Sequence, residues 1–322
     1  MDIKKLQIIA ICKKLNLDFK DFGLLNFGAH NINYYFNTKQ GKFVLRIENN
    51  AQSKNLKKEY TYLKKTDGKL GPRVFLFDNT NKIIPRDYLI EEFITGVHPN
   101  NRISDDVLKK FGRWFKDLHK NKTDKHLFLD KNKKFDLNLF FNEKYYNSYL
   151  KYNSILDLNT KKILEKLNSD CLKLMNLNKK YFLKIKNLSL NHSDPSPSNC
   201  FIKDNGELIL IDWEFVKYDL PEFDLIFFIW SYELSDKQKK IFLKSYGYSN
   251  TKFAKKKYKL IRILMYFSFL NWLFERLDLS IKGKLKAKKG VYCSSKKEIE
   301  EKLNSYIKNI TKLLNKARLI SF

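Results

Sequence analysis

Glycine and proline are scarce in this chain, 11 and 6 of 322 residues, which excludes collagen-like repeats and flexible linker sequence. Cysteine is scarcer still: Cys12, Cys171, Cys200 and Cys293 lie far apart, with no Cys-x-x-Cys pair. Neither a disulfide framework nor a cysteine-rich zinc site is expected, and a reducing interior is the simpler reading. Long apolar runs are missing as well. The longest uncharged stretch, residues 263–274, falls short of the ~20 residues a membrane span needs. Residues 1–14 lack the longer apolar core and the small-residue cleavage site of a signal peptide, so no membrane span and a cytoplasmic location are expected. Negative charge is short too. Against 63 Lys+Arg stand 35 Asp+Glu, a formal balance of +28. The lysines are spread along the whole chain beside abundant Asn and Ile. A solvated basic surface is therefore expected in preference to a specific nucleic-acid face.

What is present suffices for a folded enzyme. With 43% hydrophobic and 15% aromatic residues the chain can bury a real core, and its length suits two domains or one enzyme built from two lobes. Helical apolar spacing runs over residues 2–17. A polar loop from Asn26 leads into an aromatic strand to Phe36, and a turn at Lys39-Gln40-Gly41 leads into a returning strand over 42–47. Alternation places Phe43, Leu45 and Ile47 on one face of that strand, with Val44 and Arg46 on the other. A charged helix is expected over 53–65 and strands over 74–77 and 83–93. From Ser104 the pattern turns helical, over 107–119, 145–156, 161–175 and from about Asp236 onward, with a Lys/Asn-rich loop near 121–137. Between these helices, residues 188–199 form a loop that Pro195 and Pro197 keep out of helix. Two short apolar runs follow, 200–202 and 208–211, joined through Asn205-Gly206, a strong hairpin signal. The fold class expected is α+β with two lobes: a small antiparallel-sheet lobe over 1–94 and a larger, mainly helical lobe over 95–322.

The chemistry concentrates in residues 192–214. His192-x-Asp194-x-x-x-x-Asn199 is followed, after the hairpin, by Asp212-Trp213-Glu214. Phosphoryl transfer from ATP requires one carboxylate to orient the attacking hydroxyl and accept its proton. It also requires oxygen ligands for Mg²⁺ that neutralises the phosphates. Asp194 and Asn199 five positions apart, with Asp212 returned by a hairpin, supply three such oxygens. That spacing is the one found in the kinase catalytic loop.

With these residues in view, the chain resembles the aminoglycoside phosphotransferase and choline kinase family of small-molecule kinases, whose fold is protein-kinase-like. The resemblance covers about residues 26–277 and is densest over 190–230. It implies Asp194 as catalytic base, Asn199 and Asp212 as Mg²⁺ ligands, and His192 as a brace of the loop. It further implies that Asp224 anchors the segment after the metal site. Gly28, Asn31 and Asn33 would belong to a phosphate-covering loop, and Arg46 would contact the α/β-phosphates with Glu59 as its ion-pair partner. Glu91–Ile94, with Glu92 among them, would form the connector whose backbone meets adenine, with Ile94 packing on the ring. Many aminoglycoside kinases carry Lys at the position of Arg46, whereas choline kinases often carry Arg. The triplet Asp212-Trp213-Glu214 is also more similar to bacterial-type choline kinases. Ser193, in place of the usual Gly or Asn, and the two loop prolines depart from the pattern.

The expected activity is ATP- and Mg²⁺-dependent phosphorylation of a small-molecule hydroxyl, choline or a related amino alcohol. The segment after Asp212 offers aromatic faces for the quaternary ammonium in Trp213, Phe215, Tyr218, Trp230 and Tyr232, and Glu214 and Trp272 are the leading candidates for holding it. An aminoglycoside or sugar acceptor within the same family stays open. So does a catalytically idle kinase fold that binds nucleic acid or anionic surfaces through its lysines. The oligomeric state is not readable from the sequence.

Overall fold

The computed structural model describes residues 3–27, 31–49, 55–99, 103–129, 131–132, 134–285 and 295–318. They fall into two compact units: Met1–Asn121 with Leu190–Asp219 and Phe227–Gly247, and Lys122–Ser189 with Leu220–Ile226 and Tyr248–Phe322. Among the described residues no helix is long and apolar enough to cross a membrane.

The first unit opens with helix α1 (Lys5–Lys14) and strands β1 (Phe19–Phe27), β2 (Asn31–Thr38) and β3 (Gly41–Glu48), followed by α2 (Asn55–Thr66), β4 (Val74–Asp78) and β5 (Tyr88–Glu92). The five strands form an antiparallel sheet in the order β1-β2-β3-β5-β4. The expected alternation on β3 is realised. Phe43, Leu45 and Ile47 pack with Phe36 and Ile90 beneath Ile8, Ile11 and Cys12 of α1. Ile8 and Ile11 are wholly buried, each contributing roughly 1.5–3 kcal/mol by leaving water. Arg46 points to the opposite face, toward α2.

Two features of the five-stranded sheet depart from the sequence reading. β1 was not anticipated, because its register shifts between Phe19 and Asp21 and between Leu24 and Asn26 break the period-two pattern that marks a strand. The strand expected over 83–93 is confined to Tyr88–Glu92. Pro85 precedes it, has no N–H to offer a ladder, and sits in a bend.

Beyond β5, Gly96 allows an unusually close approach. Val97 and Ile202 exchange backbone hydrogen bonds of 3.0 and 2.9 Å, which binds this segment to the hairpin that follows the 192–199 loop. Helix α3 (Asp105–Leu118) starts at Ser104, whose Oγ accepts from the Val107 N–H at 3.3 Å, as its sequence suggested.

The second unit contributes the two-residue strand β6 (Lys122–Thr123), α4 (Leu137–Phe141), α5 (Asn147–Tyr152) and α6 (Leu158–Leu177). A π-helical turn, Asn142–Tyr146, separates α4 from α5, so the helix expected over 145–156 is broken into short pieces. Strand β7 (Leu188–Asn191) leads to the 192–199 loop, then β8 (Cys200–Ile202), β9 (Leu208–Leu210) and β10 (Lys217–Asp219). Helices α7 (Glu222–Ser231), α8 (Asp236–Tyr246), α9 (Lys252–Ile281) and α10 (Lys296–Arg318) complete the chain. α7 escaped the sequence reading because Phe223, Leu225, Ile226, Phe227, Phe228 and Ile229 leave no polar stripe to set a period. In the second unit, Phe267 of α9 packs on Phe141 and Tyr145, with ring centroids at 5.6 and 4.7 Å. Cys12, Cys171 and Cys200 are free and buried, while Cys293 lies outside the described residues.

Gly96 has φ +151°, and a Cβ placed there would lie 2.4 Å from the Ile202 carbonyl oxygen. Backbone on both sides leaves little room to yield. Gly96→Ala is expected to destabilise the protein by about 2–3 kcal/mol in urea unfolding.

Candidate active site

The loop after β7 is shaped by two residues in the left-handed backbone region, Ser193 (φ +75°) and Asp212 (φ +65°). Only Gly, Asn and Asp enter that region readily, so Ser193 stores strain of roughly 1–2 kcal/mol where a Gly or Asn would store less. The loop is held from within. His192 is wholly buried; its Nε2–H donates to the Ile211 carbonyl (3.0 Å), while its Nδ1 accepts from the Asp194 N–H (3.3 Å). These two bonds assign the neutral tautomer protonated at Nε2. The ring lies edge-on to Trp213 at 4.8 Å. His192 thus ties the residue beside Asp212 to the backbone of Asp194.

Asn199 closes the same circle. Its Nδ2 donates to Asp194 Oδ2 (2.9 Å) and to the Asp194 carbonyl (3.1 Å), and its own carbonyl accepts from the Ile211 N–H (2.8 Å). With Nδ2 committed to Asp194, Oδ1 is the atom of this amide able to ligate a cation. The β8–β9 hairpin, with Cys200 opposite Leu210, fixes the span between Asn199 and Asp212. Its loop has three residues, Asp204-Asn205-Gly206, with Gly206 alone at positive φ (+79°) and Lys203 N–H bonded to the Glu207 carbonyl (2.9 Å). The Asn-Gly signal therefore led to the right hairpin through a longer turn than a two-residue loop.

Arg46 is the hub. Its Nη1 donates to Glu59 Oε1 at 2.5 Å and its Nη2 to Asp212 Oδ1 at 2.6 Å, and Glu91 Oε1 lies 3.8 Å from Nη1. Glu59 Oε1 also accepts from the Trp213 N–H (2.9 Å), which joins α2 to the segment that carries Asp212. Close by, Asn31 Nδ2 donates to Glu214 Oε2 at 3.1 Å. One guanidinium thus faces several carboxylates. Burial alone would lower Arg46, but the charges of Glu59, Asp212 and Glu91 outweigh it and hold the group above its ordinary value. The acids are under-compensated. Burial pushes Glu59 up to about 7 and Glu91 up to about 8, against the pull of Arg46. Glu214 is pushed up to about 8 by burial and then by Asp212. Burial, with help from the charge of Asp212, also raises Asp194.

Several buried atoms at this hub, Glu59 Oε2, Glu91 Oε2, Asn31 Oδ1 and Arg46 Nε, have no hydrogen-bond partner among the described residues. An oxygen-rich pocket with surplus negative charge suits a hard divalent cation. Among the described residues no cluster of three or more His, Cys, Asp or Glu closes a metal cage. Mg²⁺ does not require one, since it is held by one or two protein oxygens together with substrate phosphates.

Of the residues singled out from sequence, the structure gathers Asn31, Arg46, Glu59, His192, Asp194, Asn199, Asp212 and Glu214 into one network. Asn33 instead bonds Asn26 across β1 and β2 (2.7 Å). Glu92 accepts from the Arg73 N–H (3.2 Å) and pairs with Lys203 (3.4 Å), while Ile94 is buried. Gly28 lies outside the described residues. Asp224 and Trp272 belong to the second unit. Asp224 is wholly buried in the first turn of α7, and Trp272 is partly exposed on α9 with the Arg276 guanidinium over its ring at 5.1 Å. Sequence reading took Glu91 for part of a connector and missed it as a third carboxylate on Arg46. Its strand register, opposite Val44, was the available signal. Trp213 and Tyr232, aromatic candidates for a cation cage, are core residues.

The sequence profile of the phosphotransferase enzyme family known as APH matches residues 22–260. A protein named LicA homolog from Metamycoplasma hominis is 31% identical over 182 residues, covering 55% of this chain and 60% of that relative. The match thus spans less than two-thirds of the relative's length. The crystal structure of choline kinase LicA from Streptococcus pneumoniae is similar in fold, with a TM-score of 0.63, 17% identity and coverage of 97% and 100% of the two chains. So is spectinomycin phosphotransferase APH(9)-Ia in complex with ADP and spectinomycin, with a TM-score of 0.59, 16% identity and 99% coverage of both chains.

The raised acids carry a pH signature. A carboxyl whose folded pKa lies above its unfolded value binds more protons when folded. Its stabilising contribution is complete below the unfolded value and is lost as pH rises through the folded one. For Glu91 that window runs from 4.5 to about 8. The urea midpoint is expected to fall as pH rises across this range, and Glu91→Gln should flatten the fall. An unchanged pH slope in the variant would contradict the assignment.

Proposed function

The chain belongs to the phosphotransferase enzyme family, and from that membership we propose that it is a small-molecule kinase transferring the γ-phosphoryl group of ATP to a hydroxyl of choline or a related amino alcohol. The observation that carries this reading is the hydrogen-bonded circuit from Asp194 through Asn199 to the hairpin, with Asp212 at its end bound to Arg46.

In this reading Asp194 is the catalytic base. Asn199 Nδ2 fixes one carboxylate oxygen, leaving the other to receive the proton of the acceptor hydroxyl. The hydroxyl oxygen forms a bond to the γ-phosphorus, the bond from phosphorus to the β-bridging oxygen breaks, and ADP leaves. His192 is a positioning residue: buried between Ile211 and Asp194, it keeps the loop in register. Asn199 Oδ1 and Asp212 are the residues that would hold Mg²⁺, which when bound neutralises charge on the phosphate oxygens. Arg46, kept charged by its carboxylates and oriented by Glu59, is the cation for the α/β-phosphates. Asn31 and Glu92 flank the nucleotide region in this scheme, and Ile94 packs against the base. Asp224, buried at the start of α7, anchors the segment after the metal site.

Choline as acceptor is supported by the 31% identical relative, which is named a LicA homolog, and by the fold shared with choline kinase LicA. Glu214 is the carboxylate that would face the ammonium. Trp272 is a separate aromatic candidate, in the second unit, where one cation, Arg276, already stacks on its ring. Free, buried cysteines and the use of ATP suit a cytoplasmic location, which forms part of the proposal.

The test is Mg-ATP consumption by the full chain over choline, ethanolamine, amino sugars and aminoglycosides. Turnover with choline or ethanolamine supports the acceptor class. Turnover with amino sugars or aminoglycosides alone keeps the kinase and overturns the acceptor, and no ATP consumption with any acceptor overturns the kinase. Asp194→Asn, nearly isosteric, should lower kcat by about 10²–10⁴ while leaving the melting temperature close to wild type.

A further inference from the structure

The +28 balance is not spread evenly. Residues 179–186 (Lys-Lys-Tyr-Phe-Leu-Lys-Ile-Lys) and 252–259 (Lys-Phe-Ala-Lys-Lys-Lys-Tyr-Lys) hold nine lysines and no acidic residue in sixteen positions, against 63 Lys+Arg in all 322. Both segments lie in the second unit, one just after α6 and the other opening α9. They meet in space. The rings of Tyr181 and Phe253 are 4.7 Å apart, and Lys184 Nζ lies 5.8 Å from the centroid of Phe253. Lys256 is held below its ordinary value by partial burial and by the charges of Lys259 and Lys180, so each segment feels the other's charge.

The charge is left largely uncompensated. Glu222 takes up Lys257 at 2.7 Å, and among the described residues no carboxylate pairs with the other eight lysines. Lys252 occupies the first position of α9, where no acidic residue accompanies it. A cation at that end opposes the helix dipole, so the arrangement works against local stability. Within the same patch, large apolar side chains face water: Leu177 is 78% exposed, Leu183 49% and Phe253 38%. A genome-wide excess of lysine explains neither the exclusion of Asp and Glu from both segments nor the exposed Leu183 and Phe253 within them.

We propose that this face docks the protein on an anionic lipid bilayer, with the lysines drawn to headgroup phosphates and Leu177, Leu183 and Phe253 entering the interfacial region. Lysine suits this task as a flexible, strongly hydrated point charge attracted to a diffuse negative surface. Exposed leucines gain by leaving water at the acyl boundary. Nucleic acid is the poorer match. All nine cations are Lys and none is Arg, the residue suited to bidentate phosphate recognition, and leucine offers no face for base stacking. No helix needs to span the bilayer for this mode of attachment.

The experiment sediments the full-length chain with vesicles of phosphatidylcholine alone, and with vesicles containing about one-third phosphatidylglycerol, over a salt series. Binding is expected to the anionic vesicles only and to weaken as salt rises. Each lysine removed should weaken partitioning about fivefold, so Lys184→Gln with Lys252→Gln should cost about twenty-five-fold. Leu183→Ser with Phe253→Ser should weaken binding while preserving its salt dependence. None of these residues is in the active-site network, so turnover in vesicle-free solution should match wild type in every variant. That comparison also shows that each variant is folded. The proposal is overturned if the chain ignores both kinds of vesicle, if the variants bind as well as wild type, or if generic RNA is bound in preference to anionic vesicles.

Discussion

Arg46 is a single buried cation shared among more carboxylates than it can neutralise. Glu59 and Asp212 bind it directly, Glu91 stands one ångström or so further off, and Glu214 feels the same field. Partial compensation explains two features at once. The guanidinium is held firmly charged, and the surrounding acids are driven upward by desolvation that one positive charge cannot offset. A pocket in that condition has a strong electrostatic reason to take in a small positive ion beside its carboxylates.

Backbone geometry sets the pocket's dimensions. Two non-glycine residues at positive φ, Ser193 and Asp212, turn the chain sharply at either end of the segment that holds the polar circuit. His192 and Asn199 then cross-link the two turns through the Ile211 backbone. The same hairpin is bonded to Val97 on its other edge, so Gly96, with no side chain, shapes the approach of the β5 segment to the loop. Strain of this kind persists because the surrounding bonds over-determine it, and it is concentrated where orientation matters most.

Much of this was legible from the amino-acid order. The β2–β3 hairpin, the faces of β3, the cap of α3 and the β8–β9 hairpin were read from alternation, capping residues and turn chemistry, all of them local effects. The elements that escaped, β1 and α7, lack that local mark: bulges disrupt the one, and an almost unbroken apolar sequence erases the period of the other. Aromatic residues were the least readable. Trp213 looked as suited to holding a ligand as to filling a core, and its burial beside His192 and Trp114 decides for the core.

From sequence alone came the identity and spacing of the polar residues, because Asp194, Asn199 and Asp212 are joined by a short loop and hairpin whose geometry is dictated nearby in the chain. The pairing of Arg46 with Asp212, 166 positions away, the third carboxylate from Glu91, and the convergence of two lysine-rich segments on one face were decided by tertiary structure. Electrostatic energy depends on distance through space and on the water excluded between charges, and neither quantity is written in the order of residues along the chain.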